Sequence, residues 1–207
     1  NGLNILSFDI LNRYGIKHGM VIKSNGRDID QEQVYQKLNP GDRLAVTHQV
    51  HDDHMGIIGP KHSKFYPQKI EADGLMTAVP GTVISIHTAD CVPIFLADKE
   101  GKAVCLVHAG WKGTVLGIAR KGLLQFMSRY GLKPGQAVAV IGPAIEQQCY
   151  QVASDVADRF GSLAKISEGN GRWRLDLKSE NRRQLIKSGL LPDDIHVSKL
   201  CTFCQNS

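Results

Sequence analysis

No stretch of this 207-residue chain approaches the roughly 18 consecutive apolar residues that a membrane-spanning helix needs. The best candidates, around Thr82–Ile86 and Val92–Ala97, are cut short by polar residues, so no membrane is expected as a partner. There is no internal repeat, no low-complexity tract and no linker rich in Pro, Gly or Ser, and a chain of this length builds one core, so residues 1–207 read as a single domain. The opening Asn1-Gly2-Leu3-Asn4 has no basic-then-apolar signal layout. Aromatic residues make up only 6%, and the 25 Lys and Arg behind the +5 net charge are scattered, not striped between aromatics, so no nucleic acid is expected as a partner. The five cysteines are odd in number and unevenly spread, which argues against a disulfide framework and for a reducing, cytoplasmic setting.

What is present is a series of short β-branched runs followed by amphipathic helices. Arg43–Val50, Thr82–Thr88, Val92–Leu96, Ala103–His108, Ala137–Ile141, Arg172–Leu177 and Ile195–Leu200 read as strands. A helix follows Gly113, with Val115, Leu116, Ala119, Leu123, Phe126 and Met127 on its buried face and Gly131 as its stop. A second is expected over Val152–Phe160, and a third from Ser179, as N-cap, to Gly189. Strands come first and helices alternate with strands later, which predicts an α/β domain of mixed β-sheets flanked by helices.

Three predicted strands end in residues that suit a borderline metal: Gln49-Val50-His51, Ala89-Asp90-Cys91 and His108-Ala109-Gly110-Trp111. Alternation along an extended Arg43–His51 puts Gln49 and His51 on one face and His48 and Val50 on the other. His54 likewise falls opposite His51, so His48 and His54 are expected at the surface or behind the site. A His, Cys, His set supplies three zinc ligands and leaves a fourth position open, as catalytic sites do. The separations, 40 residues from His51 to Cys91 and 17 from Cys91 to His108, match no local zinc motif. On spacing alone, two histidines capping strands and a small buried Cys91 are the better reading.

These segments also carry a family resemblance. Gln49-Val50-His51, Ala72-Asp73-Gly74-Leu75-Met76-Thr77, Thr88-Ala89-Asp90-Cys91-Val92-Pro93, His108-Ala109-Gly110-Trp111-Lys112-Gly113, Ile141-Gly142-Pro143 and Cys201-Thr202 follow the order and spacing of the YfiH-type laccase-domain proteins. The resemblance implies a YfiH-like fold, a sandwich like that of cytotoxic necrotizing factor. It also implies a bound zinc on His51, Cys91 and His108 and action on purine nucleosides: phosphorolysis, including that of methylthioadenosine, and deamination of adenosine. Purine nucleosides and phosphate would then be the partners of a monomer or homodimer. Copper is the alternative metal, in keeping with the older description of these proteins as multicopper polyphenol oxidases. Such oxidases build their copper clusters from several His-x-His pairs, and the 8 histidines here form none.

Within that reading, Asp73 and Asp90 are candidates to move a proton. Lys112, and secondarily Lys23, are candidates to hold phosphate, and Trp111 could stack on a purine or simply pack. Two rivals use the same residues: a metal-free hydrolase with Cys91 as nucleophile and His108 as base, and a binding protein with structural zinc. Cys201-Thr202-Phe203-Cys204 contains a lone Cys-x-x-Cys without a second pair, for which a structural Cys201 is expected. Three departures from the family pattern stand out: Asp52 where Gly is usual, Lys23 where Arg is common, and no aromatic-Ser-x-Arg-Arg segment before Ser207.

Overall fold

Ala137–Ile141 is apolar at every position, and all five residues are buried, because both faces of this strand are covered. Ala137, Ala139 and Ile141 face one hydrophobic cluster, while Val138 and Val140 face another. In the computed structural model, which describes residues 4–22, 34, 43–61 and 69–204, this strand sits near one side of a six-stranded mixed sheet. Across the sheet the order is Ile195–Val197, Ala137–Ile141, Val92–Asp98, Val104–Ala109, Gly74–Thr77 and Met55–Ile58, with parallel pairs only at the two ends.

The larger cluster lies between the sheet and the helices Ile118–Tyr130 and Leu177–Lys187. Leu123, Phe126 and Leu185 are wholly buried there, each contributing about 1.5–3 kcal/mol by leaving water. The opposite face is covered by Phe8, Leu11 and Ile16 around the short helix Asp9–Asn12. Three smaller sheets complete the described residues: Asn4–Leu6 with Met20–Ile22, the parallel set Lys69–Glu71, Arg43–His48 and Thr82–Ser85, and the antiparallel set Gln151–Ala153, Arg172–Leu175 and Lys165–Gly169.

Mixed sheets and flanking helices are as the sequence pattern predicts, with three local corrections. The helix expected over Val152–Phe160 is a strand, Gln151–Ala153, followed by a single helical turn, Ser154–Ala157. The four-residue spacing of Val152, Val156 and Phe160 reflects two elements feeding one core, not one helix. The helix after Gly113 starts earlier, at Trp111, and breaks at Gly117, whose φ of 80° is left-handed, into Trp111–Leu116 and Ile118–Tyr130. The third helix is capped by Asp176, not Ser179: the Asp176 carboxylate accepts from the Ser179 backbone N–H at 2.9 Å, which makes Ser179 the third residue inside.

One buried charge ties the last helix to the C-terminal segment. Lys178 is 3% exposed, and its ammonium donates to the carbonyls of Ser198 and Leu200, at 2.9 and 2.8 Å, and to the Glu146 carboxylate. Removing the cation strands three acceptors around an apolar gap. Lys178→Met is therefore expected to lower unfolding free energy by about 3 kcal/mol, read as a fall in the urea midpoint at constant m-value; an unchanged midpoint would remove Lys178 from the framework.

Candidate metal centre

Strand register alone brings most of the candidate residues to one end of the large sheet. Val92 pairs with Ala109 and Pro93 with His108, so Cys91, one residue before the strand, arrives beside the end of the His108 strand. Gly74 pairs with Val107, so Asp73, one residue before its own strand, arrives beside His108, and the His108 backbone N–H donates to the Asp73 carbonyl at 2.7 Å. Met55 pairs with Gly74, so His54 meets Asp73 there, and its carbonyl accepts from the Asp73 N–H at 2.9 Å. The small parallel sheet supplies the rest: Arg43–His48 and Thr82–Ser85 run the same way, and the chain leaving them reaches His51 and Cys91 respectively.

The ligating atoms of His51, Cys91 and His108 all lie within 4.8 Å of one another. The two imidazoles meet edge to face with centroids 4.8 Å apart. His51 is exposed, Cys91 half-buried and His108 buried, so the cluster meets solvent on its His51 side. Gly110 floors it: a Cβ there would come within 3.1 Å of both the Cys91 Sγ and the His51 ring.

The residue beneath the donors is Asp73, which is fully buried. Its Oδ1 accepts from His51 N–H at 3.0 Å and its Oδ2 from the N–H groups of Val50 and Asp52, at 3.2 and 2.8 Å. Oδ1 also lies 2.8 Å from the Nδ1 of His108. An ionised carboxylate only accepts, so Nδ1 carries the proton and Nε2 presents its lone pair to the cluster. Burial alone would raise the Asp73 carboxyl, but the hydrogen bonds from Asp52, His108 and Val50 outweigh it and hold the group below the usual carboxylate range.

The electrostatics of the donors follow from this setting. Burial lowers His108 and outweighs the opposing hydrogen bond to Asp73, which keeps its imidazole neutral and able to ligate. Burial, reinforced by the negative charges of Asp90 and Asp73, pushes the Cys91 thiol up to about 11. A cation binding here displaces that proton.

Two non-glycine residues at the site take left-handed backbone: His51 at φ 60° and Asp90 at φ 69°. The strand predicted to run to Val50 ends at His48, so the turn, not strand alternation, aims His51. The φ above zero falls on His51 and not on Asp52, so the family's usual glycine after the histidine is not needed for this turn. His48 and His54 have exposed side chains, as expected.

Asp90 accepts from the Thr202 hydroxyl at 2.6 Å through Oδ1, which ties the Cys201-Thr202 segment to the residue preceding Cys91. Trp111 packs half-buried against the main core, with the Lys112 ammonium 5.7 Å and the Arg159 guanidinium 6.0 Å from its ring centroid. Lys112 is exposed, and Lys23 lies outside the described residues. A cavity of about 1170 Å³ borders the site on the Asp90 side; His87, Asp90 and Thr202 line it, and the three donors do not.

Three contributors escape sequence reasoning. Gln49 exchanges two hydrogen bonds of 2.7 Å with the backbone of His87, joining the two strand ends that lead to His51 and Cys91. Burial, and then the nearby charges of Cys91 and Asp90, push the Tyr150 phenol up to about 12, which keeps a protonated hydroxyl near the site. Arg159 adds a second cation beside Trp111. The only sequence signal among them is Gln49, inside the Gln-Val-His motif.

Comparison with known proteins fits this arrangement. The purine nucleoside phosphorylase of Bacteroides thetaiotaomicron is 31% identical over 174 residues, covering 78% of this chain and 64% of the relative. Adenosine deaminase RL5, from an unknown prokaryotic organism, is 32% identical over 178 residues, 80% of this chain and 68% of that one. The chain thus spans about two thirds of the length of these relatives. The crystal structure of Bacillus licheniformis hypothetical protein YfiH superposes with a TM-score of 0.77 at 33% identity, covering 84% of this chain and 70% of that one. The family described as multi-copper polyphenol oxidoreductase laccase matches residues 22–207, and the chain belongs to that laccase-domain, YfiH-like family.

Proposed function

We propose that this chain forms the active site of a zinc-dependent purine nucleoside phosphorylase that also deaminates adenosine and accepts methylthioadenosine. The supporting observation is the His51, Cys91 and His108 cluster with Asp73 fixing the His108 tautomer. Similarity to relatives named for both nucleoside reactions supports the substrate class. The donor set fits zinc: two neutral imidazoles and one thiolate leave a fourth position for water or substrate. Zinc held there supplies Lewis acidity and lowers the pKa of a coordinated water to about 7.

The chain's own residues have separable roles. Asp73 orients His108 and, through three backbone N–H groups, the His51 turn; with its oxygens so engaged and its carboxyl held low, it is a positioning group and not a proton carrier. Asp90, beside Cys91 and anchored by Thr202, is the carboxylate we assign to proton transfer. Lys112, with Arg159 flanking the same Trp111 ring, is the cation assigned to phosphate. In phosphorolysis, phosphate oxygen bonds to the anomeric carbon as the bond to the purine nitrogen breaks, and the departing base takes up a proton.

The rival readings meet physical objections. A nucleophilic cysteine needs its thiol lowered, and Cys91 is pushed up to about 11. A polyphenol oxidase that reduces dioxygen by four electrons needs a multicopper cluster, and this site offers three donors, enough for a single ion.

Wild-type protein is expected to hold one zinc on His51, Cys91 and His108 and to release purine from inosine only with phosphate present. Cys91→Ala is expected to lose that ion and at least about 100-fold in kcat/KM, the equivalent of the several kcal/mol a Lewis acid supplies; undiminished base release in Cys91→Ala protein that has lost the ion at this centre would overturn the proposal. Asp73→Asn replaces one acceptor oxygen by an N–H donor facing other donors. It is expected to weaken zinc binding by about 10–100-fold in a chelator competition, and unchanged affinity would show that the carboxylate is not what orients the ligands.

A further inference from the structure

The fold gathers a second set of soft donors away from His51. Cys201 and Cys204 come from the C-terminal turn, and Cys149 from the turn that follows Glu146; their sulfur atoms all lie within 4.8 Å of one another. None of the three is in a disulfide. Separate backbone bonds hold the two segments together: Ala144 and Cys201 form a parallel bridge, and the Thr202 N–H donates to the Ala144 carbonyl at 3.2 Å.

The environment of Cys201 is built for a thiolate. The Glu146 N–H points at its sulfur at 3.4 Å, and the backbone N–H groups of Phe203 and Cys204 converge on the same atom. A Cys-x-x-Cys turn whose first sulfur accepts from the following backbone is an arrangement in which short turns hold a cation, since the N–H groups stabilise charge left on the sulfur. Burial would raise the Cys201 thiol, yet these bonds pull it down to about 7. Burial, and then contacts with the Cys204 and Cys201 sulfurs, push Cys149 up to about 11.

We propose that Cys149, Cys201 and Cys204 form a second, thiolate-only site for a thiophilic d10 cation such as zinc. Tetrahedral zinc at a Zn–S distance of about 2.3 Å sets the sulfurs roughly 3.8 Å apart, a spacing within reach of rotamer adjustment from the observed cluster. Cys204 is exposed, which gives the ion an entry path and a solvent ligand for the fourth position.

The site has a structural consequence. It staples Cys149 to the segment whose Thr202 hydroxyl holds Asp90, the residue before Cys91. The second ion therefore braces the wall of the first centre without joining it, and the proposal does not depend on the nucleoside reading.

The test removes the first centre and asks whether an ion remains. Full-length Cys91→Ser protein, titrated with zinc against a chromophoric chelator, is expected to keep one tight equivalent, and its cobalt(II) form to show sulfur-to-cobalt charge-transfer absorption. Adding Cys204→Ser, at an exposed position that leaves the core intact, is expected to weaken that equivalent by at least about 100-fold; adding Cys149→Ser as well is expected to abolish it and the cobalt band. No retained zinc in Cys91→Ser, affinity unmoved by Cys204→Ser, or a disulfide between two of the three in protein isolated with reductant would each overturn the proposal.

Discussion

The Asp73 carboxylate is the contact on which the site depends. It is wholly buried, yet remains ionised because four donors converge on its two oxygens: three backbone N–H groups of the His51 turn and the His108 ring. Each interaction solves a different problem. The backbone bonds compensate the left-handed φ at His51, which by itself costs about 1–2 kcal/mol, and the ring bond selects which nitrogen of His108 faces the cluster. A single charge therefore sets the position of one ligand and the tautomer of another, and both would be lost if it were neutralised.

That charge can be buried because of the sheet beneath it. His108 stands in its strand, and Asp73 and Cys91 each one residue before theirs, in a sheet covered largely by apolar packing, so register brings the three together. His51 is the exception, coming from a turn between two sheets, and it is the donor that needs the carboxylate most. The family's description evokes many coppers, whereas the described residues hold two groups of three donors, one of mixed imidazole and thiolate and one of thiolates alone. Neither is the multi-histidine cluster that four-electron chemistry requires.

Much of this was legible in the sequence, for reasons that differ from element to element. Ala137–Ile141 is legible to the residue because its unbroken apolar run is bounded by Gln136 on one side and the strand-breaking Gly142-Pro143 on the other. The helix Ile118–Tyr130 was legible from its apolar stripe, but its separation from Trp111–Leu116 was not, since a glycine inside an amphipathic pattern does not announce a positive φ. The strands Met55–Ile58 and Gly74–Thr77 are too short to signal themselves, and with them went the register that sets Asp73 against His108. His51, Cys91 and His108 were identifiable as strand-end donors, but their convergence came from family resemblance, because no spacing of 40 and 17 residues encodes a site. Cys149 was invisible beside the Cys-x-x-Cys turn because the contact crosses more than fifty residues of chain.

The central claim is that Asp73 presents His108 through Nε2 to a single cation shared with His51 and Cys91. An anomalous difference map across the zinc edge, from crystals of zinc-loaded protein, tests it most directly. The account predicts a peak about 2.0–2.3 Å from the His108 Nε2, a ring nitrogen of His51 and the Cys91 Sγ, with the Asp73–His108 Nδ1 contact intact. No peak among these three side chains, or one bound through the His108 Nδ1 with Asp73 displaced, would contradict it.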